Sequence, residues 1–138
     1  MPNEQPNRDF SLAHALLRLG LGVNLCTHGL VRLPELATFA GHAQQMMAKS
    51  WLPLWLVTAV AFVIPFVELT TGALLILGLF LRFALVLGSL LMIVLTLAVC
   101  LAQNWTVASE QLIYMFVFAI LLATARHDRF SIDGWRSA

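Results

Sequence analysis

The chain is poor in charge. Of its 138 residues only 11% are Asp, Glu, Lys or Arg, while 60% are hydrophobic. Soluble domains carry about a quarter charged and about half apolar residues, so this composition argues against a soluble globule. Concentrated positive charge is missing as well. The eight Lys and Arg are scattered, the formal net charge is +1, and no basic cluster could track a phosphate backbone, which removes nucleic acid from the partners. Cysteine is scarce: Cys26 and Cys100 are the two in the chain, and they do not form a Cys-x-x-Cys redox motif. A Gly-rich phosphate loop and a nucleophile motif are both lacking, so self-contained catalysis has no direct support. Metal-ligand spacing is lacking too. His14 and His28 lie about 21 Å apart along a helix, too far to share one metal or one haem iron, and neither cofactor is expected.

What is present is long apolar runs. Four segments reach the roughly 20 residues a membrane span needs: about Phe10 to Leu33, Pro53 to Leu81 with Pro65 inside it, Arg82 to Ala102, and Glu110 to Ala125. "LFLR" leaves almost no loop between the second and third, which makes them antiparallel neighbours. Between the first two spans, "PELATFAGHAQQMMAKSW" places Leu36, Phe39, Ala40, Ala43, Met46 and Met47 at helical spacing. That pattern predicts an amphipathic helix on the membrane surface or capping the bundle. Trp51, Trp55 and Trp105 fall near one interface, where indoles are favoured. Arg8, Arg82, Arg126, Arg129 and Arg136 share one end, and Arg32 and Lys49 the other. The positive-inside rule then puts both termini in the cytoplasm of a bacterial or archaeal plasma membrane. The expected fold is all-α: an integral membrane four-helix bundle with an outward amphipathic helix between spans one and two. Residues 1–9 read as a disordered tail with no cleavable signal, 10–126 as the transmembrane domain, and 127–138 as a cytoplasmic tail, with "QNWTVASE" as an outward loop.

The first span is unusually polar. On a helical wheel His14, Arg18, Asn24, His28 and Arg32 fall within an arc of about 120°. A charge facing lipid costs about 2.5–3.5 kcal/mol even on the lenient insertion scales, so the stripe should face the bundle interior. Gly22 and Gly29 flank it and would let a neighbouring helix approach. The second span carries Glu68. Counting the rise from the cytoplasmic ends of both spans brings Glu68 and Arg18 within about 6 Å in height, so an Arg18–Glu68 ion pair is expected, with His28 as a second partner for Glu68. Such a pair either fixes helix register or builds a polar pocket. Pro65 frees the carbonyl around Ala61, which could line that pocket. Cys26 and Cys100 read as independent buried thiols, with an outward disulfide as the alternative. Tyr114, Phe116 and Phe118 read as packing or lipid-facing residues, with a cage around a quinone ring as the alternative.

The segments "LLRLGLGVNLCTHGLVRL", "LP" at Leu52–Pro53, "PFVELTTGALLILGLFLR" and "RFSIDGW" together resemble the DoxX family of small four-helix membrane proteins. That family includes the DoxD-type subunit of thiosulfate:quinone oxidoreductase. The resemblance covers roughly Leu16 to Asp133, and its matching positions are Arg18, Gly29, Arg32, Glu68, Gly72 and Arg82. It implies a membrane subunit of a quinone-linked redox system, with a quinone as cofactor and a redox protein as partner. The stripe then supplies roles: His28 and Glu68 as catalytic proton-handling groups, and Arg18, Asn24 and Arg32 binding quinone or an anion such as thiosulfate. Two other readings stand beside it: a non-catalytic scaffold that docks a separate oxidoreductase on Pro34–Ser50, and a small lipid-binding protein or transporter. Homo-oligomerisation is compatible with all three.

Overall fold

The apolar runs fold as helices because a backbone in hydrocarbon must satisfy its own hydrogen bonds. A computed structural model describes residues 5–136, and its order is α1 (Gln5–Arg32), a 3-10 turn (Leu33–Glu35), α2 (Leu36–Met47), α3 (Leu54–Leu77), α4 (Leu81–Leu101), α5 (Trp105–Ala123), a second 3-10 turn (Ala125–His127) and α6 (Ile132–Arg136). No strand occurs among the described residues. Four helical stretches are long and apolar enough to cross a membrane. The expected tail is helical from Gln5 onward, and residues 1–4 lie outside the described residues.

The turns explain where the spans end. Gly78 closes α3 in the left-handed region at φ +61°. Leu79 N donates to Leu74 O at 3.0 Å and Gly78 N to Leu75 O at 3.2 Å, the bonding of a Schellman cap. The second span therefore stops short of the expected Leu81. Asn104 starts α5 by accepting from Val107 N at 3.3 Å, as an N-cap side chain does. Most of "QNWTVASE" is thus helix, and the fourth span begins at Trp105 rather than Glu110.

Helix α1 packs chiefly on α3, α4 on α5, and α3 also contacts α2 and α4. Leu75, Leu85, Phe118 and Leu121 are fully buried between them. The α1–α3 seam is close because it is built on glycine. A Cβ on Gly29 would stand 2.7 Å from both Pro65 O and Leu69 N, and one on Gly72 would collide with the Cys26 backbone. Phe62, Phe66, Ile93, Leu97, Ile113 and Phe116 are exposed on the outside, as side chains facing lipid would be. The amphipathic segment is α2. It buries Ala40 and Met47 and ties to α3 through Gln44 Nε2, which donates to Thr58 Oγ1 at 2.6 Å.

The bundle thus has two ends. The start of α1, α6, the α3–α4 turn and the five arginines at 8, 82, 126, 129 and 136 lie at the tail-side end. At the loop-side end sit α2, the α4–α5 turn and three exposed tryptophans, Trp51, Trp55 and Trp105.

Candidate functional site

The polar stripe of α1 is divided between these ends. His14 and Arg18 are buried at 4% and 2% exposure, Asn24 and Arg32 are half-buried, and His28 is exposed. The expectation that all five point inward therefore fails at His28, which stands at a rim.

At the tail-side end both terminal nitrogens of Arg18 are engaged, but not by Glu68. Its Nη1 donates to Leu75 O and, at 3.1 Å, to Ile76 O; its Nη2 donates to Phe130 O at 2.8 Å. Its Nε lies 3.6 Å from Asp128 Oδ1. His14 joins the same cluster. Thr124 Oγ1 donates to Ile120 O at 2.7 Å, so its oxygen accepts from His14 Nδ1 at 2.9 Å. Phe10 stacks on His127 with ring centroids 5.8 Å apart. The returning tail is itself pinned: Asp133 N donates to Gly78 O at 3.0 Å, Asp133 Oδ2 accepts from Leu81 N at 2.9 Å, and Gly134 N donates to Ser131 Oγ at 2.9 Å. These contacts close the bundle, and among the atoms left without a hydrogen bond Arg18 Nε and His14 Nε2 lie 3.6 Å and 3.9 Å from Asp128 Oδ1.

At the loop-side end Glu68 is 3% exposed. Its Oε1 accepts from Arg32 Nη1. The Arg32 guanidinium also lies over the Phe39 ring of α2, 4.7 Å from its centroid, a favourable cation–π geometry. The ion pair that forms is thus Arg32–Glu68, and the expected Arg18–Glu68 pair does not. The reason is register. The glycine seam sets Glu68 near Gly29 and Arg18 beside Leu75 and Ile76, about 15 Å apart by helical rise.

Around the pair lies a chamber of about 180 Å³, lined by Asn24, His28, Arg32, Glu68, Gln111 and Tyr114 among others. Glu110 adds a second carboxylate to its wall. Two buried acceptor atoms in these lining residues, Glu68 Oε2 and Gln111 Oε1, have no partner among the described residues. Buried acceptors are rarely left unmatched, so the chamber is chemically equipped for a small hydrogen-bond donor. Asn24, His28 and Arg32 also line a groove of about 540 Å³ on the outer side of α1, which places His28 between chamber and groove. Ala61 is not part of the chamber wall, so the carbonyl freed by Pro65 has no seat there.

Four of the five expected site residues thus share one cavity, and Arg18 belongs elsewhere. Residues that sequence reasoning missed are Gln111, Glu110 and Phe39 at the chamber and Asp128 at the closed end. Asp128 had a signal, since it follows the fourth span at the same end as Arg18. Gln111 had none beyond being polar in a span. Tyr114 reaches the chamber, whereas Phe118 is fully buried and Phe116 is 68% exposed, so the three form no common cage. Cys26 and Cys100 are free thiols, half-buried rather than buried. Among the described residues no group of three or more His, Cys, Asp or Glu could hold a metal ion.

Residues 11–111 match the sequence profile of a family described as "Methylamine utilisation protein MauE". This finding overturns the DoxX resemblance, and the thiosulfate and quinone roles that the resemblance implied lose that support. No curated protein and no solved structure matches the chain.

Proposed function

The chain belongs to the MauE family, and we propose that it is an integral membrane accessory protein of methylamine utilisation that works through its loop-side chamber. One observation carries the choice of site: Glu68 is almost wholly buried, yet one carboxylate oxygen has no hydrogen-bond partner among the described residues, and Glu68 lines a cavity together with Gln111, whose Oε1 is unmatched as well. An unmatched buried acceptor costs about 1–3 kcal/mol, so a ligand or partner group that donates to it is favoured. Gln111 Oε1 offers a second acceptor and Tyr114 a ring, while Met92 and Leu95 make the wall partly apolar. A small donor-rich group such as an ammonium meets these terms. Glu68 and His28 are the acting groups in this reading, Asn24 and Arg32 hold and orient, and Arg18 is structural. Five arginines at the tail-side end support a cytoplasmic position for both termini. The chamber then opens toward the outer face.

The test is growth. A strain lacking the chain should fail on methylamine as nitrogen source and grow normally on ammonium. The wild-type gene should restore growth, and Glu68→Gln, present in the membrane at wild-type level, should not. Normal growth of the deletion strain on methylamine would remove the assigned process, and full rescue by Glu68→Gln would remove the chamber.

A docking role for α2 is a second reading, favoured by its exposed Thr38, His42 and Gln45 and by exposed Lys49 in the turn that follows it. Under it Lys49→Glu, not Glu68→Gln, would abolish growth and co-purification with a redox partner.

A further inference from the structure

The tail-side end holds a feature that neither the Arg18 cluster nor the chamber uses. Arg82 at the start of α4, Arg126 in the second 3-10 turn, Arg129 in the tail and Arg136 at the end of α6 line one groove of about 1100 Å³. All four are exposed. Two carboxylates share the wall, and both are occupied: Asp128 lies 3.6 Å from Arg18 Nε and Asp133 Oδ2 accepts from Leu81 N at 2.9 Å. None of the four arginines is in an ion pair among the described residues. Folding back of the tail, held by the Asp133 and Phe130 contacts, is what gathers these guanidinium groups around one opening.

The rim of the groove is apolar. Phe80, Phe83 and Trp135 line it at 62%, 61% and 79% exposure. Aromatic rings at a bilayer boundary sit at headgroup depth, and Phe83 lies on the outer face of a spanning helix, next to Arg82. A ligand here would meet planar, phosphate-matching guanidinium forks on one side and rings suited to the upper acyl region on the other. A soluble anion has no use for the rings, and a zwitterionic lipid brings a cation into a wall already rich in positive charge. Basic pockets at the ends of spanning helices are suited to anionic headgroups. We propose that this groove holds the phosphate headgroup of an anionic phospholipid. The site does not depend on the assignment to methylamine utilisation, because it uses none of the chamber residues.

The full chain in mild detergent, titrated with dioleoyl phosphatidylglycerol or dioleoyl phosphatidylcholine and read by native mass spectrometry, tests this. Wild-type protein should retain the glycerol lipid and not the choline lipid. Each arginine removed should weaken retention about fivefold, so Arg129→Gln with Arg136→Gln should lose about 25-fold at that rate. Lys49→Gln at the opposite end should lose nothing. Should the double variant misfold, Arg126→Gln carries the same comparison at about fivefold. Equal retention of the two lipids, or wild-type retention by these arginine variants, would overturn the proposal. So would inorganic phosphate bound to lipid-free protein as tightly as the glycerol lipid, which would assign the groove to a soluble anion.

Discussion

One helix, α1, carries both a closed polar cluster and an open one, and the two differ in how their charges are matched. Around Arg18 the guanidinium meets three carbonyls and a carboxylate, all inside the protein. Around Glu68 a single arginine, its side chain 28% exposed, serves a carboxylate that is 3% exposed, and one oxygen is left over. The Arg18 cluster turns unmatched atoms on one another, Arg18 Nε and His14 Nε2 lying 3.6 Å and 3.9 Å from Asp128 Oδ1, and stabilises the fold. The Glu68 pair turns its unmatched oxygen on a cavity instead and keeps a binding capacity. A buried charge in a membrane protein is thus read for function by where its unmatched atoms face, not by its presence.

The sharpest way to break this contrast is at Arg18. Arg18→Met strands Asp128 and unties Phe130 O, and loss of one partner from a buried pair costs about 3–5 kcal/mol. The thermal midpoint in mild detergent, followed by tryptophan fluorescence, should collapse; an unchanged midpoint would mean the closed end is not structural. Gly72→Val comes next. It forces α1 off α3 at Cys26, costs about 1–3 kcal/mol as overpacking, and should impair growth on methylamine as well, because the seam sets the Arg32–Glu68 register. Glu68→Gln should shift stability by only about 1 kcal/mol, one hydrogen-bonding group replacing another, while abolishing growth. A large melting shift there would erase the distinction between the two ends. Smallest is Asn104→Ala, which removes the α5 cap for about 1 kcal/mol and should leave growth untouched. It calibrates how far the melting point falls without any effect on the chamber.

Much of the architecture was legible in the residues. Apolar runs announced the four spans, "LFLR" the antiparallel turn, and Phe39, Ala43 and Met47 the helix across the loop-side end. The gathering of polar groups on one side of α1 was legible too, and three of them, Asn24, His28 and Arg32, do reach one cavity. Pairing was not, because it depends on the vertical offset of two helices. Measuring from Phe10 and Phe80 takes those two residues as level, whereas the packing sets Arg18 beside Leu75 and Ile76, on the tail side of Glu68. The offset is set by Gly22, Gly29 and Gly72 interlocking, which helical counting does not contain. The family was misread for a related reason. Glu68, Gly72 and the following glycine and arginine answer to demands that small four-span bundles share: a counter-charge for α1, a close crossing and a tight turn. Those residues carry architecture, and architecture does not single out one lineage.

The contact between Arg18 and Phe130 joins positions 112 residues apart in the chain. At about 5–20 residues per second of synthesis, roughly ten seconds separate the emergence of the first helix from that of the strand of backbone that will quench its guanidinium. Throughout that interval a charged helix waits in the lipid, or beside the insertion machinery, with its final acceptors still inside the ribosome. Locking of the bundle therefore waits for the segment from Asp128 to Asp133, and a stop codon placed just before Asp128 should yield four hydrophobic helices that insert but never lock.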